Sequence, residues 1–175
     1  MFIQSNIFSN LRSLKNASIK HLLGLKDIKN SVNIYTDGSY KASSKLTKIG
    51  FAFIVKDNDT VVHIQRGSEY IGKRKRKLGA LTAETIAIEK ALKYIYKKDF
   101  ENTMIHTDSL YIYKAIYGYS EYLNPVLSHF INKIKIMLYK LKDNNQSIDF
   151  KYIKSHTYID NNLADLHAKK GRKSY

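Results

Sequence analysis

An aspartate that follows a short strand pattern constrains this chain more than any other feature. In the run VNIYTDGSY, Val32, Ile34 and Thr36 alternate with Asn33 and Tyr35. Such alternation of β-branched residues predicts a strand, which ends here on Asp37. Gly38 then frees the backbone from the usual φ limits. Because Asp-Gly pairs are also common in hairpin turns, Asp37 indicates a site only together with acids elsewhere in the chain.

Glu84 is the second acid in a defined position. We predict a helix that Thr82 caps and that begins at Ala83, with an apolar stripe of Ile88, Ala91, Leu92 and Ile95. Glu84 lies one turn before Ile88 on the same face. A carboxylate at the head of a buried stripe is costly unless a cation meets it. Exposure of Glu84 at the first helical turn is the alternative.

The order of the remaining patterns predicts the fold class. Strand patterns and helical patterns follow one another as three strands, a helix, a strand, helices, a strand and a helix. A strand, helix, strand series implies parallel pairing, so we predict an α/β protein with a mixed sheet covered by helices. The predicted strands after the first are Ile49–Val55, Thr60–Ser68, Asn102–Thr107, which precedes Asp108, and Ser147–Ile153. The other predicted helices are Leu110–Tyr117, a long helix that Asn124 caps and Pro125 begins, and Leu163–Lys169, which contains Asp165.

The charge of the chain indicates its class of partner. The 175 residues include 30 Lys and Arg against 15 acids, a formal net charge of +15. Such a surplus favours nucleic acid, with an anionic membrane surface as the alternative. The sequence has no cysteine, which excludes disulfides and thiolate zinc sites. No apolar run approaches the roughly 20 residues of a membrane helix, so we expect no membrane span.

Two basic segments add expectations about organisation. Residues 1–30 hold no acid before Asp27, with apolar residues at helical spacing, and are either a transit peptide or an accessory helix. The remaining residues, 31–175, form one domain. We expect an intracellular, cytoplasmic protein, or a mitochondrial one if residues 1–30 act as a transit peptide. The run Lys73–Lys77 suits phosphate contacts, with a solvated loop or a localisation signal as alternatives.

Four segments together resemble the type 1 ribonuclease H family. They are TDGS, TAETIAIEKAL, HTDSLY and KSHTYIDNNLADLHAKK, and the resemblance runs from Val32 to Lys170. The segments AETIAIEKAL and SHTYIDNNLAD look closer to mobile-element or viral ribonuclease H domains, of which this chain would be a free-standing version. It implies a ribonuclease H-like fold with a five-stranded mixed sheet, three antiparallel strands then two parallel. By motif match the metal ligands are Asp37, Glu84, Asp108 and Asp165, and His156 assists proton transfer or product release.

The resemblance also implies an activity and its cofactor. Members cleave the RNA strand of RNA–DNA hybrids as endoribonucleases with two Mg²⁺ ions, leaving 5′-phosphate and 3′-hydroxyl ends, and Mn²⁺ is the expected substitute. We expect the hybrid as partner, with double-stranded RNA or DNA bound non-specifically. The expected substrate-binding residues are Gly38, Ser39, Ser43, Asn161, Lys73, Arg74, Lys75, Arg76 and Lys77.

Several departures from the family pattern concern substrate contacts. The lysine-rich stretch Lys41–Lys48 replaces a Gly/Asn/Pro-rich turn, and Ser43 stands where an asparagine would contact a 2′-hydroxyl. Ala80 and Leu81 replace a paired asparagine before Glu84. The loop from His156 to Asn161 is one residue shorter than in common cellular members. These changes keep the metal ligands but weigh against strict hybrid specificity.

Other functions remain open at the level of sequence. A non-catalytic module of a ribonucleoprotein could keep the fold, and the lost asparagines favour it, whereas the complete set of acids opposes it. DEDD-type exonucleases carry Asp-x-Glu on the first strand, where this chain has Asp37-Gly38-Ser39. Integrases follow the order Asp, Asp, Glu. Both of these patterns fit less well than ribonuclease H.

Overall fold

A computed structural model describes residues 31–41, 47–71, 78–119 and 124–174 of the chain. Within these ranges it forms five strands and four helices. The strands are β1 (Ser31–Tyr40), β2 (Thr47–Asp57), β3 (Thr60–Ile71), β4 (Asn102–Thr107) and β5 (Ser147–Tyr152). The helices are α1 (Gly79–Lys98), α2 (Leu110–Tyr117), α3 (Pro125–Asp143) and α4 (Ile159–Lys173). The expectations for residues 1–30, Ser43 and Lys73–Lys77 lie outside the described residues.

The strands form one mixed sheet in the order β3-β2-β1-β4-β5. β1 pairs antiparallel with β2, and β2 with β3, as a meander. β4 pairs parallel with β1 and with β5. The α/β class and the sheet of three antiparallel strands followed by two parallel strands are therefore confirmed. The chain passes through a helix between β1 and β4 and again between β4 and β5. Such crossover connections between parallel strands are right-handed in nearly all proteins.

The first strand continues past Asp37, contrary to the prediction that it ends there. Its parallel pairing with β4 stops at Tyr35 opposite His106. Its antiparallel pairing with β2 goes on from Asp37 opposite Ala52 to Tyr40 opposite Ile49. The Asp-Gly pair is thus extended rather than turned, because the β2 ladder holds it. Asp37 lies where β1 loses one of its two neighbours, which leaves room beside its side chain.

Two helices begin earlier than predicted. α1 begins at Gly79 with Leu78 as its N-cap, so the prediction that Thr82 caps a helix from Ala83 is wrong. Thr82 is instead buried inside the helix, and Glu84 lies beyond the first turn. α4 begins at Ile159, four residues before the predicted start, because its first turn has no apolar stripe to reveal it. Asn124 does cap α3, since its side chain accepts a hydrogen bond from Val126 N–H.

Helices cover both faces of the sheet. Ile49 and Phe51 of β2 pack with Ala83 and Ala87 of α1. A Cβ on Gly50, between them, would lie 2.1 Å from the Ala168 carbonyl oxygen of α4. Because successive residues of a strand point to opposite faces, α1 and α4 lie on opposite sides of the sheet. Among the described helices, none is long and apolar enough to cross a membrane.

The larger core cluster fills the space between the sheet and the helices that precede β5. Its fully buried members include Ile34, Ile88, Leu92, Ile105 and Ile131, which come from β1, α1, β4 and α3. Burying each such side chain contributes about 1.5–3 kcal/mol to stability. This packing fixes the positions of β1, α1 and β4 relative to one another, and these are the elements that carry Asp37, Glu84 and Asp108.

Candidate active site

Three carboxylates from distant parts of the chain meet at one place. Asp37 in β1, Glu84 in α1 and Asp108 just after β4 offer oxygen atoms that all lie within 4.8 Å of one another. The parallel pairing of β1 with β4 brings the two aspartates to neighbouring strands. The burial of α1 against β1 brings Glu84 beside them. The family resemblance implies that four acids gather here, and the structure groups three of them.

Gly38 lets α1 approach β1 closely enough for Glu84 to reach the cluster. A Cβ at Gly38 would lie 2.3 Å from both Ala83 C and Glu84 N. The Gly38 N–H donates to Asp37 Oδ1 at 2.7 Å and to Glu84 Oε1 at 3.1 Å. One backbone amide therefore holds both carboxylates. The predicted contact of Gly38 with substrate stays a prediction.

The cluster carries more negative charge than its surroundings neutralise. Burial and the negative charges of Asp108 and Asp165 together raise the pKa of Asp37 to about 7, against hydrogen bonds that lower it. Burial also raises the pKa of Glu84 well above its usual value, and the neighbouring Asp37 and Asp108 add to the effect. Burial and neighbouring negative charges both raise the pKa of an acid, because each disfavours its ionised form. A bound cation would restore both carboxylates to their ionised form.

The donor set fits a hard divalent cation. Glu84 Oε2 is buried and accepts no hydrogen bond from any N–H or hydroxyl of the described residues. The cluster offers carboxylate oxygens and no nitrogen or sulfur atom. Mg²⁺ and Mn²⁺ prefer such oxygen ligands. The orphaned oxygen of Glu84 and the raised pKa values thus agree with a metal centre at Asp37, Glu84 and Asp108.

Asn161 supports Asp108 from the first turn of α4. Its Nδ2 donates to Asp108 Oδ2 at 3.1 Å, and the residue is only 1% exposed. A neutral amide that donates to a carboxylate fixes its orientation without neutralising it. The sequence names Asn161 as a substrate contact, whereas the structure places its Nδ2 against a carboxylate of the cluster.

Asp165 lies at the border of the cluster. Its oxygens are not among those within 4.8 Å of one another. Its carboxylate instead forms an ion pair with Lys169 Nζ at 2.6 Å, one turn along α4. Its negative charge still contributes to the raised pKa of Asp37, so it is near enough to act on the cluster.

His156 occupies the turn between β5 and α4. Its Nδ1 lies 3.3 Å from Asn162 Oδ1, and the contact is exposed to solvent. Its φ is 58°, a left-handed conformation that a residue other than glycine rarely adopts. The backbone therefore holds His156 in an unusual conformation on the approach to the helix that carries Asn161 and Asp165.

Ser39 ties β1 to the last turn of α4. Its hydroxyl accepts a hydrogen bond from Arg172 Nε at 3.1 Å, and the residue is 6% exposed. Its predicted contact with substrate stays a prediction, as do those of Ser43 and the Lys73–Lys77 run.

His106 packs against β1 near the end of β4, and the sequence assigned it no role. It lies two residues before Asp108, stacks on Tyr35 at 4.4 Å between ring centroids, and places Nε2 2.9 Å from Asn33 Oδ1. Burial and Lys151 lower the pKa of His106 to about 4, so the ring is neutral at pH 7. Its place in HTDSLY, two residues before Asp108, was the available signal.

The fold and the acidic cluster together define a ribonuclease H-like α/β domain. The RNase H family pattern matches residues 29–173, and the chain belongs to this family. No curated protein sequence matches the chain.

Solved structures share the fold at low sequence identity. LC11-RNase H1, isolated from compost by a metagenomic approach, is 22% identical with a TM-score of 0.65, covering 82% of this chain and 96% of that one. The N-terminal RNase H domain of a Mycobacterium tuberculosis protein is 16% identical with a TM-score of 0.63, covering 81% and 93%. Prototype foamy virus protease-reverse transcriptase is 20% identical with a TM-score of 0.62, covering 82% of this chain and 21% of that one.

Proposed function

We propose that this protein is an endoribonuclease that hydrolyses the RNA strand of RNA–DNA hybrids with the help of divalent metal ions. The observation that carries the proposal is the cluster of Asp37, Glu84 and Asp108, whose oxygens lie within 4.8 Å of one another in a chain of the RNase H family. LC11-RNase H1, which shares the fold, has been solved in complex with an RNA/DNA hybrid.

Two Mg²⁺ ions, or Mn²⁺ in their place, are the proposed cofactors. Asp37, Glu84 and Asp108 would hold them, and Asp165 would join if its carboxylate left Lys169. Such ions supply Lewis acidity, which lowers the pKa of water and offsets negative charge on a reacting phosphate.

Residues of the chain would orient the carboxylates and transfer the proton that the reaction requires. The Gly38 amide holds Asp37 and Glu84 together, and Asn161 keeps Asp108 oriented. His156 is exposed on its turn, where its ring can deliver a proton to the departing 3′ oxygen of the RNA. Water attacks the phosphorus and loses a proton to solvent as the bond to the 3′ oxygen breaks. The water oxygen stays on the 5′-phosphate end of one product, and the protonated oxygen becomes the 3′-hydroxyl end of the other.

The net charge of +15 would attract the hybrid through its phosphates. Affinity that depends on neutralised phosphates falls steeply with salt, because binding releases counterions. Ser39 and Asn161 are engaged inside the protein. We therefore propose that the hybrid backbone is held mainly by lysine and arginine residues, and that double-stranded RNA or DNA binds without being cleaved.

A substrate panel tests the proposal. An end-labelled RNA–DNA hybrid, double-stranded RNA, double-stranded DNA and single-stranded RNA are each incubated with the protein in Mg²⁺ or in excess chelator. We expect internal cleavage of the hybrid RNA in Mg²⁺ alone, with 3′-hydroxyl ends that a polymerase can extend. Tight, salt-sensitive binding of the hybrid without cleavage would contradict the proposal and would favour a non-catalytic module.

A further inference from the structure

A cleft lies on the β5 side of the sheet, and the acidic residues Asp37, Glu84 and Asp108 are not among the residues that line it. Its volume is about 710 Å³, and α2, α3 and the first residues of β5 line it. Ser147 of β5 pairs with Asn102 of β4, at the opposite end of β4 from Asp108. Asn102 lies six residues before Asp108, which corresponds to about 20 Å along an extended chain. The volume lies within the range of about 300–1,000 Å³ that is typical of ligand sites.

The walls of the cleft combine exposed tyrosines with unpaired lysines. Tyr117 and Tyr139 are 41% and 69% exposed, and Tyr117 stacks on Tyr119 with ring centroids 5.9 Å apart. Lys135 and Lys142 line the same cleft, and neither forms an ion pair with the described residues. Their two positive charges exceed the one carboxylate of the lining, that of Asp149. Aromatic faces beside ammonium groups suit a ligand that has both a planar ring and a phosphate.

An unsatisfied acceptor lies among the residues that line the cleft. Gln146 is 3% exposed, and its Nε2 donates to the carbonyl oxygens of Ile95 and Phe100 at 3.1 Å each. These bonds fix the amide so that its Oε1 stays buried, and within the described ranges no donor reaches it. Because this oxygen has no accessible surface, it does not contact a ligand in the cleft, and the site rests on the tyrosines and the lysines.

The edge of β5 beside the cleft is closed to an added peptide strand. The Tyr117 hydroxyl accepts a hydrogen bond from Phe150 N–H at 3.2 Å and donates to the Phe150 carbonyl at 3.4 Å. The outward backbone groups of Phe150 are therefore already used. A peptide that bound by extending the sheet would have to break both bonds, which favours a nucleotide over a peptide.

We propose that this cleft binds a nucleotide of single-stranded nucleic acid. The base stacks on Tyr139 or Tyr117, and the adjoining phosphates meet Lys135 and Lys142. The site does not depend on the proposed cleavage activity, since none of these residues belongs to the acidic cluster. In a nuclease it would hold a single-stranded segment that flanks the duplex.

Oligonucleotide binding by the full chain tests the proposal. A fluorescein-labelled oligo-dT of ten nucleotides is titrated with wild-type protein and with Tyr139→Ala, and anisotropy is recorded at several salt concentrations. Loss of stacking should weaken binding about 5- to 150-fold. The matched control is Tyr70→Ala, because Tyr70 is 67% exposed and lies on β3 at the other edge of the sheet.

A lysine pair provides the second variant. Lys135→Gln with Lys142→Gln should lower the slope of log affinity against log salt by about 1.4, since each phosphate contact with a single strand contributes about 0.7. Lys97→Gln with Lys170→Gln is the control pair on exposed helix surfaces. Circular dichroism of each variant confirms that it is folded.

Equal affinities for Tyr139→Ala and Tyr70→Ala would overturn the proposal. Displacement of oligo-dT by a short polyglutamate peptide, in a manner that depends on Tyr139, would also overturn it by identifying an acidic peptide as the ligand. Cleavage of a blunt RNA–DNA hybrid is measured in parallel. Failure to cleave, with Tyr139-dependent oligo-dT binding intact, would remove the nuclease proposal and leave this one standing.

Discussion

Replacing Asp37 by asparagine should stabilise the metal-free protein at alkaline pH. The pKa of Asp37 rises from 3.8 to about 7 in the folded state. The difference of roughly three units corresponds to at most about 4 kcal/mol, at 1.36 kcal/mol per unit. Between these two values the folded state binds more protons than the unfolded state. The contribution of Asp37 to the stability of the wild type is therefore fully present below about pH 4 and is lost as the pH rises through about 7.

The asparagine variant removes the buried charge and keeps the shape of the side chain. Its Oδ1 can still accept the Gly38 N–H, although the bond is weaker with a neutral acceptor. We therefore expect a net gain of about 1–3 kcal/mol in the free energy of unfolding at pH 8 in chelator, below the 4 kcal/mol limit. The gain should shrink toward zero near pH 4.

Urea unfolding at pH 5, 6, 7 and 8 in excess chelator measures this effect. Asp59→Asn, in the exposed turn between β2 and β3, is the matched control and should leave the midpoint unchanged. The reasoning is refuted if Asp37→Asn destabilises the protein at pH 8, or if its gain is the same at pH 5 as at pH 8.

Three further predictions concern the site and the charge. Gly38→Ala should lower stability by about 3 kcal/mol, because its Cβ would overlap the backbone of α1; an unchanged urea midpoint would contradict that packing. Asn161→Ala should slow hybrid cleavage about 10- to 100-fold without weakening hybrid binding, because Asp108 loses its orienting donor; wild-type turnover would show that this bond is dispensable. Neutralising Lys73–Lys77 should flatten the salt dependence of hybrid affinity by about 0.9 for each phosphate that the run neutralises; an unchanged slope would exclude this run from the interface.

Local patterns in the sequence were sufficient to predict the order of the strands and helices and the mixed character of the sheet. The alternation of β-branched residues predicted β1, and apolar stripes predicted the central turns of α1 and α3, because both patterns reflect burial of one face of the element. The start of α1 was placed too late because Thr82 was taken as the cap although it lies inside the helix. The start of α4 was placed too late because IDNN carries no apolar stripe. The strand was ended too early at Asp37, because its extended conformation depends on pairing with β2, which lies ten or more residues further along the chain.

The identity of the acids was predictable, but their geometry was not. Motif order named Asp37, Glu84, Asp108 and Asp165, yet only the fold separates three that meet from a fourth that pairs with Lys169. The bond from Asn161 to Asp108 joins residues 53 positions apart and leaves no periodic trace in the sequence. The close approach that Gly38 permits likewise depends on the packing of α1 against β1.

Single-turnover cleavage of an RNA–DNA hybrid by wild-type protein and by Asp108→Asn is the most direct check on the nuclease assignment. Both proteins are used in Mg²⁺ at concentrations that saturate the hybrid, with binding verified by gel shift. We expect the wild type to cut the RNA strand, and the variant to bind the hybrid with similar affinity while giving no product above background. Turnover by Asp108→Asn close to that of the wild type would contradict a reaction that depends on this carboxylate cluster.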